Sequence, residues 1–419
     1  MTDNRVSIRV NLLVLYGISA FLLNSVLRNS LMVYSGHSFP DVNYICLLVI
    51  FYEMLRVFWI NKIKKSSFFI FAGAVVFSIL VEISNIFGNS TIGHSVLLFT
   101  LLPGILIIAF YFNESVDCKL VLTRFLKVFN VFITLILALG ILDYFLGGVI
   151  NTMLALRFSN PEWAKMITTE NLTFGFRMVT IIGSPLMNAF FALTLIVLNN
   201  IYNVYISERK WLTLFFNIFG LVAIILTGSR TALLLGAIFV FVSMFNSVRN
   251  IKKILIIAAA LTVFVLSVNS VFFQKTIGVR FSNDMLSDGR FYLLQNVIEG
   301  SYGKIHVLSG GGYNYSRALT STGSAMQNFE LPLLMFLYDY GLSATLIFYL
   351  IFGVYPCVKM IKNRAYFALL GYIVLFLHLN SSNILAQKYD FCMMLSFIIL
   401  VVINCKGGFK NNMESRKRI

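Results

Sequence analysis

Charge is scarce in this chain. Only 12% of its 419 residues are Asp, Glu, Lys or Arg, against 58% hydrophobic residues, and no soluble domain of this size has that composition. Acidic residues are the scarcer sign, 17 against 33 basic, which leaves a net charge of +16. Such an excess can mark a nucleic-acid binder. Here the basic residues fall between apolar runs, as in the cytoplasmic loops of a membrane protein, so no nucleic-acid partner is expected. Cysteine is sparse as well. Cys46, Cys118, Cys357, Cys392 and Cys405 all lie in apolar runs or short basic connections. That excludes a disulfide framework in the long loops, and no metal-ligand spacing appears, so neither metal nor cofactor is expected. No internal repeat is evident, which weighs against transporters built from duplicated halves. The first apolar run lacks a small-residue cleavage site and is expected to remain as an anchor.

What the chain has in abundance is apolar stretches near 20 residues long. In lipid each must be a helix, because hydrocarbon offers the backbone no hydrogen bonds. The runs are continuous rather than alternating, which excludes a β-barrel. The expected fold is an all-α polytopic membrane protein with about 12 transmembrane helices. The spans lie near 10–27, 42–60, 67–87, 94–112, 127–149, 179–204, 211–227, 230–247, 252–272, 327–354, 365–380 and 385–405. With both termini in the cytoplasm, the inner segments hold 22 of the 33 basic residues, and every inner connection is basic.

Two connections are long, and loops of that length in a compact fold are commonly functional. Residues 150–178 and 273–326 are both expected on the outer face of this single membrane domain. The first carries Leu154, Leu156, Phe158, Trp163, Met166, Phe174 and Phe176, too apolar for a disordered segment. In the second, Phe291, Leu294, Val297 and Ile298 share one helical face behind an Asp/Ser-rich start that can cap it. An amphipathic helix on the outer surface is expected there, followed by the turn Gly310-Gly311-Gly312. The ionisable residues Glu82, His94, Asp143, His378, Lys388 and Asp390 fall near outer span ends, whereas Glu53 and Asp339 read as deeper.

Thr227-Gly228-Ser229-Arg230-Thr231 is a polar turn between two uncharged apolar runs. An arginine kept beside hydrocarbon costs several kcal/mol unless something compensates it, and an anionic ligand would do so. Arg177, before Gly183-Ser184-Pro185-Leu186-Met187-Asn188, and Arg290, at the start of the amphipathic helix, share the same outer side. Guanidinium forks suit phosphate oxygens, so Arg177, Arg230 and Arg290 are candidate ligands of a pyrophosphate. Glu330 stands where the large loop re-enters the membrane. It is the candidate general base, with helix capping or an arginine pair as equally good structural roles. His306, Tyr313 and Arg317 are further polar candidates in the same loop. Gly341 and Ala344 read as a small-residue face for close helix packing.

These motifs resemble the O-antigen polymerase and O-antigen ligase superfamily. Gly228-Ser229-Arg230-Thr231 is similar to its GSR(T/S) turn. Arg177 with Gly183-Ser184-Pro185 and Asn188-Ala189 is similar to its arginine-then-P-N-A segment. Arg290 with Leu308-Ser309-Gly310-Gly311-Gly312 is similar to its R…G-x-G loop, and Gly341-Leu342-Ser343-Ala344 to its re-entry element. The resemblance covers about the C-terminal 240 residues. Ligases carry a His–Asn/Ser pair where this chain has Glu330-Leu331, which favours a polymerase.

The resemblance implies a metal-independent glycosyltransferase of the bacterial inner membrane. Its substrate would be an undecaprenyl-pyrophosphate-linked oligosaccharide drawn from membrane lipid, built into O-antigen or capsular polysaccharide. A chain-length regulator protein would be its partner. The alternatives are an O-antigen ligase and a lipid-linked oligosaccharide flippase. The charge layout makes a first prediction. Reporter fusions at Lys64, Arg209, Lys253 and Lys362 should read cytoplasmic, and fusions within 150–178 and 273–326 periplasmic. A cytoplasmic signal from the large loop would overturn the layout.

Overall fold

The computed structural model describes residues 2–28, 42–60, 64–111, 117–157, 177–182, 184–247, 306–322, 331–382 and 390–405, with 295, 299 and 385 besides. Helix accounts for 84%, with no strand among the described residues. In chain order the helices are α1 Thr2–Ile18, which continues as a π-helical stretch Ser19–Arg28, α2 Tyr44–Ile60 and α3 Lys65–Phe87. Next come α4 Thr91–Tyr111, α5 Cys118–Phe145, α6 Val149–Arg157, α7 Pro185–Tyr205, α8 Lys210–Thr227 and α9 Arg230–Ser247. Then follow α10 Tyr315–Thr322, α11 Pro332–Lys362, α12 Tyr366–Asn380 and α13 Asp390–Val402. Six of them, α3, α4, α5, α7, α8 and α11, are long and apolar enough to cross a membrane. The expected span at 252–272 lies outside the described residues.

Local sequence sets most helix ends. Asp117 caps α5 by accepting from the Lys119 and Leu120 amides at 3.1 and 3.2 Å. Pro185 starts α7, where its missing N–H costs nothing. Gly228 ends α8 at φ +66°, the left-handed conformation that suits glycine after a helix.

Helix α7 is the centre of the bundle. Its apolar window is 94% buried, against 28% for α3. The outer helices turn large apolar side chains outward, among them Leu48, Phe51, Leu55 and Phe58 on α2 and Val131, Phe132, Leu135 and Leu139 on α5. An apolar exterior of this extent is what lipid requires. The buried centre also holds amides. Asn199 of α7 and Asn130 of α5 exchange two hydrogen bonds at 2.8 and 2.9 Å, and Asn200 donates to Asn217 of α8 at 2.5 Å and accepts from Ser243 of α9. Where burial alone would let helices slide, these pairs set their rotation and height.

Polar contacts gather at two ends of the bundle. At one end Arg9 and Arg56 flank the fully buried Glu53 at 3.3 and 3.0 Å, with Arg9 over the Tyr111 ring. Arg209 over Tyr202 and Asn363 on the Ile403 carbonyl lie at this end too. Trp59 and Trp211 project here, 90% and 85% exposed beside basic residues, as interfacial anchors do. The other end gathers Ser84 to His94, 177–188, 226–230, 306–316, 339–341 and His378. Each contact joins segments that the charge pattern assigns to one side. Glu53 is thus a buried carboxylate clamped by two guanidiniums.

Helix α11 differs from the sequence reading. It begins at Pro332 and breaks at Gly341, where φ is +78° and ψ 174°. A straight helix would hold Phe336 and Phe348 roughly 18 Å apart. Their rings instead stack at 4.5 Å, so the chain turns sharply at Gly341 and 332–340 leans back along 342–349. Gly341 is thus the tip of a bend and not part of a flat packing face. Only glycine adopts that backbone at low cost. A Cβ there would also lie 2.6 Å from the Leu308 carbonyl oxygen. Gly341→Ala should therefore cost roughly 1–3 kcal/mol from backbone strain alone. The check is a fall in Tm together with faster proteolysis within 306–322; an unchanged Tm would contradict the strained tip.

Candidate functional site

Two polar patches occupy the end opposite Glu53. The first forms around the Thr227–Thr231 turn. Ile224 accepts from the Thr227 hydroxyl at 2.7 Å, and Gly228 carries the chain into α9. Ser229 is buried in the N-cap position, and Arg230, half-buried, opens α9. The first amides of a helix have no partners within it, so Arg230 adds a full positive charge to a partial one.

Arg177 reaches the same place by an extended segment, which runs on past 179, where the sequence predicts the next span to begin; the helix starts only at Pro185. The Met178 amide donates to the Leu226 carbonyl at 2.8 Å, which lays Arg177 beside the Arg230 turn. Two further bonds hold that segment, and Asp143 orients the donor of one of them. Asp143 accepts from the Ile150 amide and the Asn151 side chain, both at 2.6 Å, and Asn151 passes a bond on to the Val179 carbonyl at 3.0 Å. The Thr180 hydroxyl donates to Asn188 of α7. The backbone at Arg177 and the N-terminus of α9 that Arg230 opens are thus neighbours, and guanidiniums beside a helix N-terminus suit a phosphate or pyrophosphate.

The second patch is a latch. The loop 306–316 wraps the bent tip of α11. The Leu342 amide donates to the Val307 carbonyl at 2.7 Å, and the Gly311 and Gly312 amides to the Tyr338 and Asp339 carbonyls, both at 2.8 Å. From α3, Ser84 donates to the Asp339 carbonyl and accepts from the Gly312 amide at 3.1 Å, while Asn85 accepts from the Tyr313 amide at 3.2 Å. Gly88 and Gly311 meet backbone to backbone, leaving no room for a side chain. The buried Asp339 carboxylate accepts the Ser316 amide at 2.7 Å and so caps α10 from another helix. Asp339 read as a deep intramembrane charge; the bend of α11 makes it a capping group at the bundle end.

Of the residues singled out in the sequence, Arg177 and Arg230 lie on adjoining backbone segments. His306, Tyr313 and Arg317 all belong to the latch and α10, with the His306 ring 6.2 Å from Tyr315 and Arg317 exposed. At the start of α7 the Leu186 carbonyl faces His378 at 3.4 Å, and Phe190 packs against Phe391. Glu330 and Arg290 lie outside the described residues. Of the helix expected over 288–299, the described part is the Glu299 amide on the Gln295 carbonyl at 2.8 Å, one helical bond. Among the described residues no group of three His, Cys, Asp or Glu could hold a metal ion.

Sequence reasoning missed Asn151, Ser84 and Asn85. Asn-Ile-Phe-Gly-Asn at 85–89 does carry a turn signal, but its partner lies 228 residues away. The relay through Asn151 is open to test. Asn151→Leu keeps the side-chain volume and removes the donor to Val179, a loss of about 1–3 kcal/mol for a buried carbonyl left bare. Amide exchange across 177–182 should then accelerate at least tenfold, and unchanged exchange would show that the relay does not hold the segment. No known protein family and no curated protein matches this chain.

Proposed function

We propose that this chain is a multi-pass glycosyltransferase of the bacterial inner membrane, both termini in the cytoplasm. It would polymerise undecaprenyl-pyrophosphate-linked oligosaccharide repeat units at the outer face. The observation that supports the reading is the Met178–Leu226 bond, which sets the backbone beside Arg177 against the turn that leads to Arg230 at the N-terminus of α9. A lipid-linked pyrophosphate is an anion that must be met at that depth. Its departure from the anomeric carbon is where positive charge lowers the barrier most.

In this mechanism the growing glycan leaves its pyrophosphate, and a hydroxyl of the incoming unit attacks the anomeric carbon. Arg177 and Arg230 neutralise the departing oxygens, with Arg290 as a further candidate. Glu330, next to the start of α11, is the proposed acceptor of the hydroxyl proton. His306, Tyr313 and Arg317 are the second choices. A chain-length regulator remains a proposed partner.

The disposition of charge supports an enzyme over a flippase. Transport sites lie near the bilayer midplane. Among the described residues the acidic groups of the apolar helices, Glu53, Glu82, Asp143 and Asp339, each lie toward a bundle end with a hydrogen-bond or ion-pair partner. A ligase would use the same arginines, and the product distinguishes it. A deletion strain of a polymerase displays one repeat on its core, whereas loss of a ligase leaves bare core.

The variants follow from the chemistry. Arg230→Ala should abolish long polymer with protein level unchanged. Arg230→Lys should rescue poorly, since a point charge does not reproduce a bidentate fork. Glu330→Gln should slow turnover by ~100-fold if the carboxylate is the base. The measurement is polymerisation by purified enzyme, normalised to folded protein. Full activity of Arg230→Ala would remove the pyrophosphate clamp.

A further inference from the structure

The corner where α3 passes into α4 holds polar atoms that neither the latch nor the arginine site uses, although one of its residues, Asn85, also holds the latch. Glu82 lies in the last turns of α3 and His94 in the first turn of α4. Glu82 Oε1 and His94 Nδ1 are 2.6 Å apart, with both side chains about two-fifths exposed. The turn between them is tight, with Ser90 accepting from the Gly93 amide at 3.3 Å. One turn of α3 beyond Glu82 is Asn85, fully buried, its amide packed flat against Gly93. The Tyr313 N–H needs an oxygen, so it fixes Asn85 Oδ1 toward the latch and leaves Nδ2 on the other side.

Two buried atoms at this corner have no hydrogen-bond partner among the described residues: the donor Asn85 Nδ2 and the acceptor Glu82 Oε2. His94 Nε2 lies on the ring edge opposite the Glu82 bond. Orphaned buried polar atoms are uncommon in folded proteins, and each calls for a ligand or a water. A fully buried amide donor, a carboxylate acceptor and an imidazole nitrogen offer mixed roles within one small corner. A hydroxyl both donates and accepts, so neighbouring hydroxyls on a sugar ring match that mixture, whereas a phosphate, being acceptor-only, would be repelled by Glu82. Ile86, Phe87 and Ile92 project beside the corner, more than three-fifths exposed, and offer apolar surface to a sugar face or a lipid chain.

We infer that the α3–α4 corner of Glu82, Asn85 and His94 is a carbohydrate subsite, which binds sugar hydroxyls of the lipid-linked glycan. The inference rests on the glycosyltransferase reading and adds to it a sugar-recognition surface apart from the arginines. It divides the substrate between two patches at one end of the bundle: pyrophosphate at Arg177 and Arg230, glycan extending across to the latch side. Since Asn85 also holds Tyr313, glycan binding and the latch share a residue.

The test uses the full chain in lipid nanodiscs and two probes. One is the undecaprenyl-pyrophosphate-linked repeat unit that accumulates in a deletion strain; the other is undecaprenyl pyrophosphate without sugar. The wild type should bind the glycan-bearing probe more tightly. Glu82→Gln keeps size and removes the charge. Asn85→Asp keeps the oxygen for Tyr313 and replaces the orphaned donor with an acceptor. Each should lose about tenfold in affinity for the glycan-bearing probe, the scale of one buried hydrogen bond to a charged or polar group. Neither should change binding of the sugar-free probe. Should Asn85→Asp fail to fold, the half-exposed Glu82→Gln decides alone. Wild-type affinity of the variants for both probes would mean that the corner holds solvent, and the inference falls. A wild type that does not prefer the glycan-bearing probe also overturns it. Binding of neither probe by the wild type would instead overturn the glycosyltransferase reading itself.

Discussion

The structure depends on one constraint: backbone that leaves the helical ladder at the edge of an apolar bundle must find polar partners elsewhere. Helices satisfy their own amides and carbonyls, so the bundle interior can be nearly all hydrocarbon. The segments 177–182 and 306–316 cannot. Each is held by groups from distant helices, the first by Leu226, Asn151 and Asn188, the second by Ser84, Asn85, Tyr338 and Asp339. Polar side chains that look misplaced in apolar helices are the partners that this backbone requires. Both segments lie at the same end, and so the chemistry-bearing residues collect there.

The bend at Gly341 extends the same logic. It exposes the carbonyls of Tyr338 and Asp339, which a continuous helix would have used internally, and the glycine loop takes them up. The loop in turn supplies the Ser316 amide that Asp339 needs. Bend, loop and carboxylate therefore stabilise one another, and none of the three is explicable alone. The buried amide pairs on α7 do comparable service at the centre, giving register to surfaces whose apolar contacts are otherwise permissive.

Function and fold divide along this line. The end with Arg9, Glu53 and Arg56 closes its charges into a compact cluster and welds α1, α2 and α4. The other end sets arginines on a helix N-terminus and leaves Asn85 Nδ2 and Glu82 Oε2 without protein partners among the described residues. An ion cluster that satisfies itself reads as architecture. Orphaned donors and acceptors leave hydrogen-bonding capacity that the described residues do not use.

The sequence by itself determined the helical class, because long uncharged runs have a single backbone solution in lipid. It also marked the Gly228-Ser229-Arg230 turn, whose glycine and flanking apolar runs are local signals, and it placed Arg177 on the same side. The helix starts at Pro185 and after Asp117 carry local capping signals, although the hydropathy spans put them at 179 and 127. Only the tertiary structure decided that Arg177 lies on an extended segment paired with Leu226, that Gly341 is a bend, and that Asp339 caps a helix from another part of the chain. It alone brought Asn85 to Tyr313 and Glu82 to His94. Those contacts join residues up to 228 positions apart. Hydropathy reports how much of a helix is apolar and is silent on which of its few polar atoms will meet an unsatisfied backbone group. That is settled by the packing of whole helices, which no local pattern encodes.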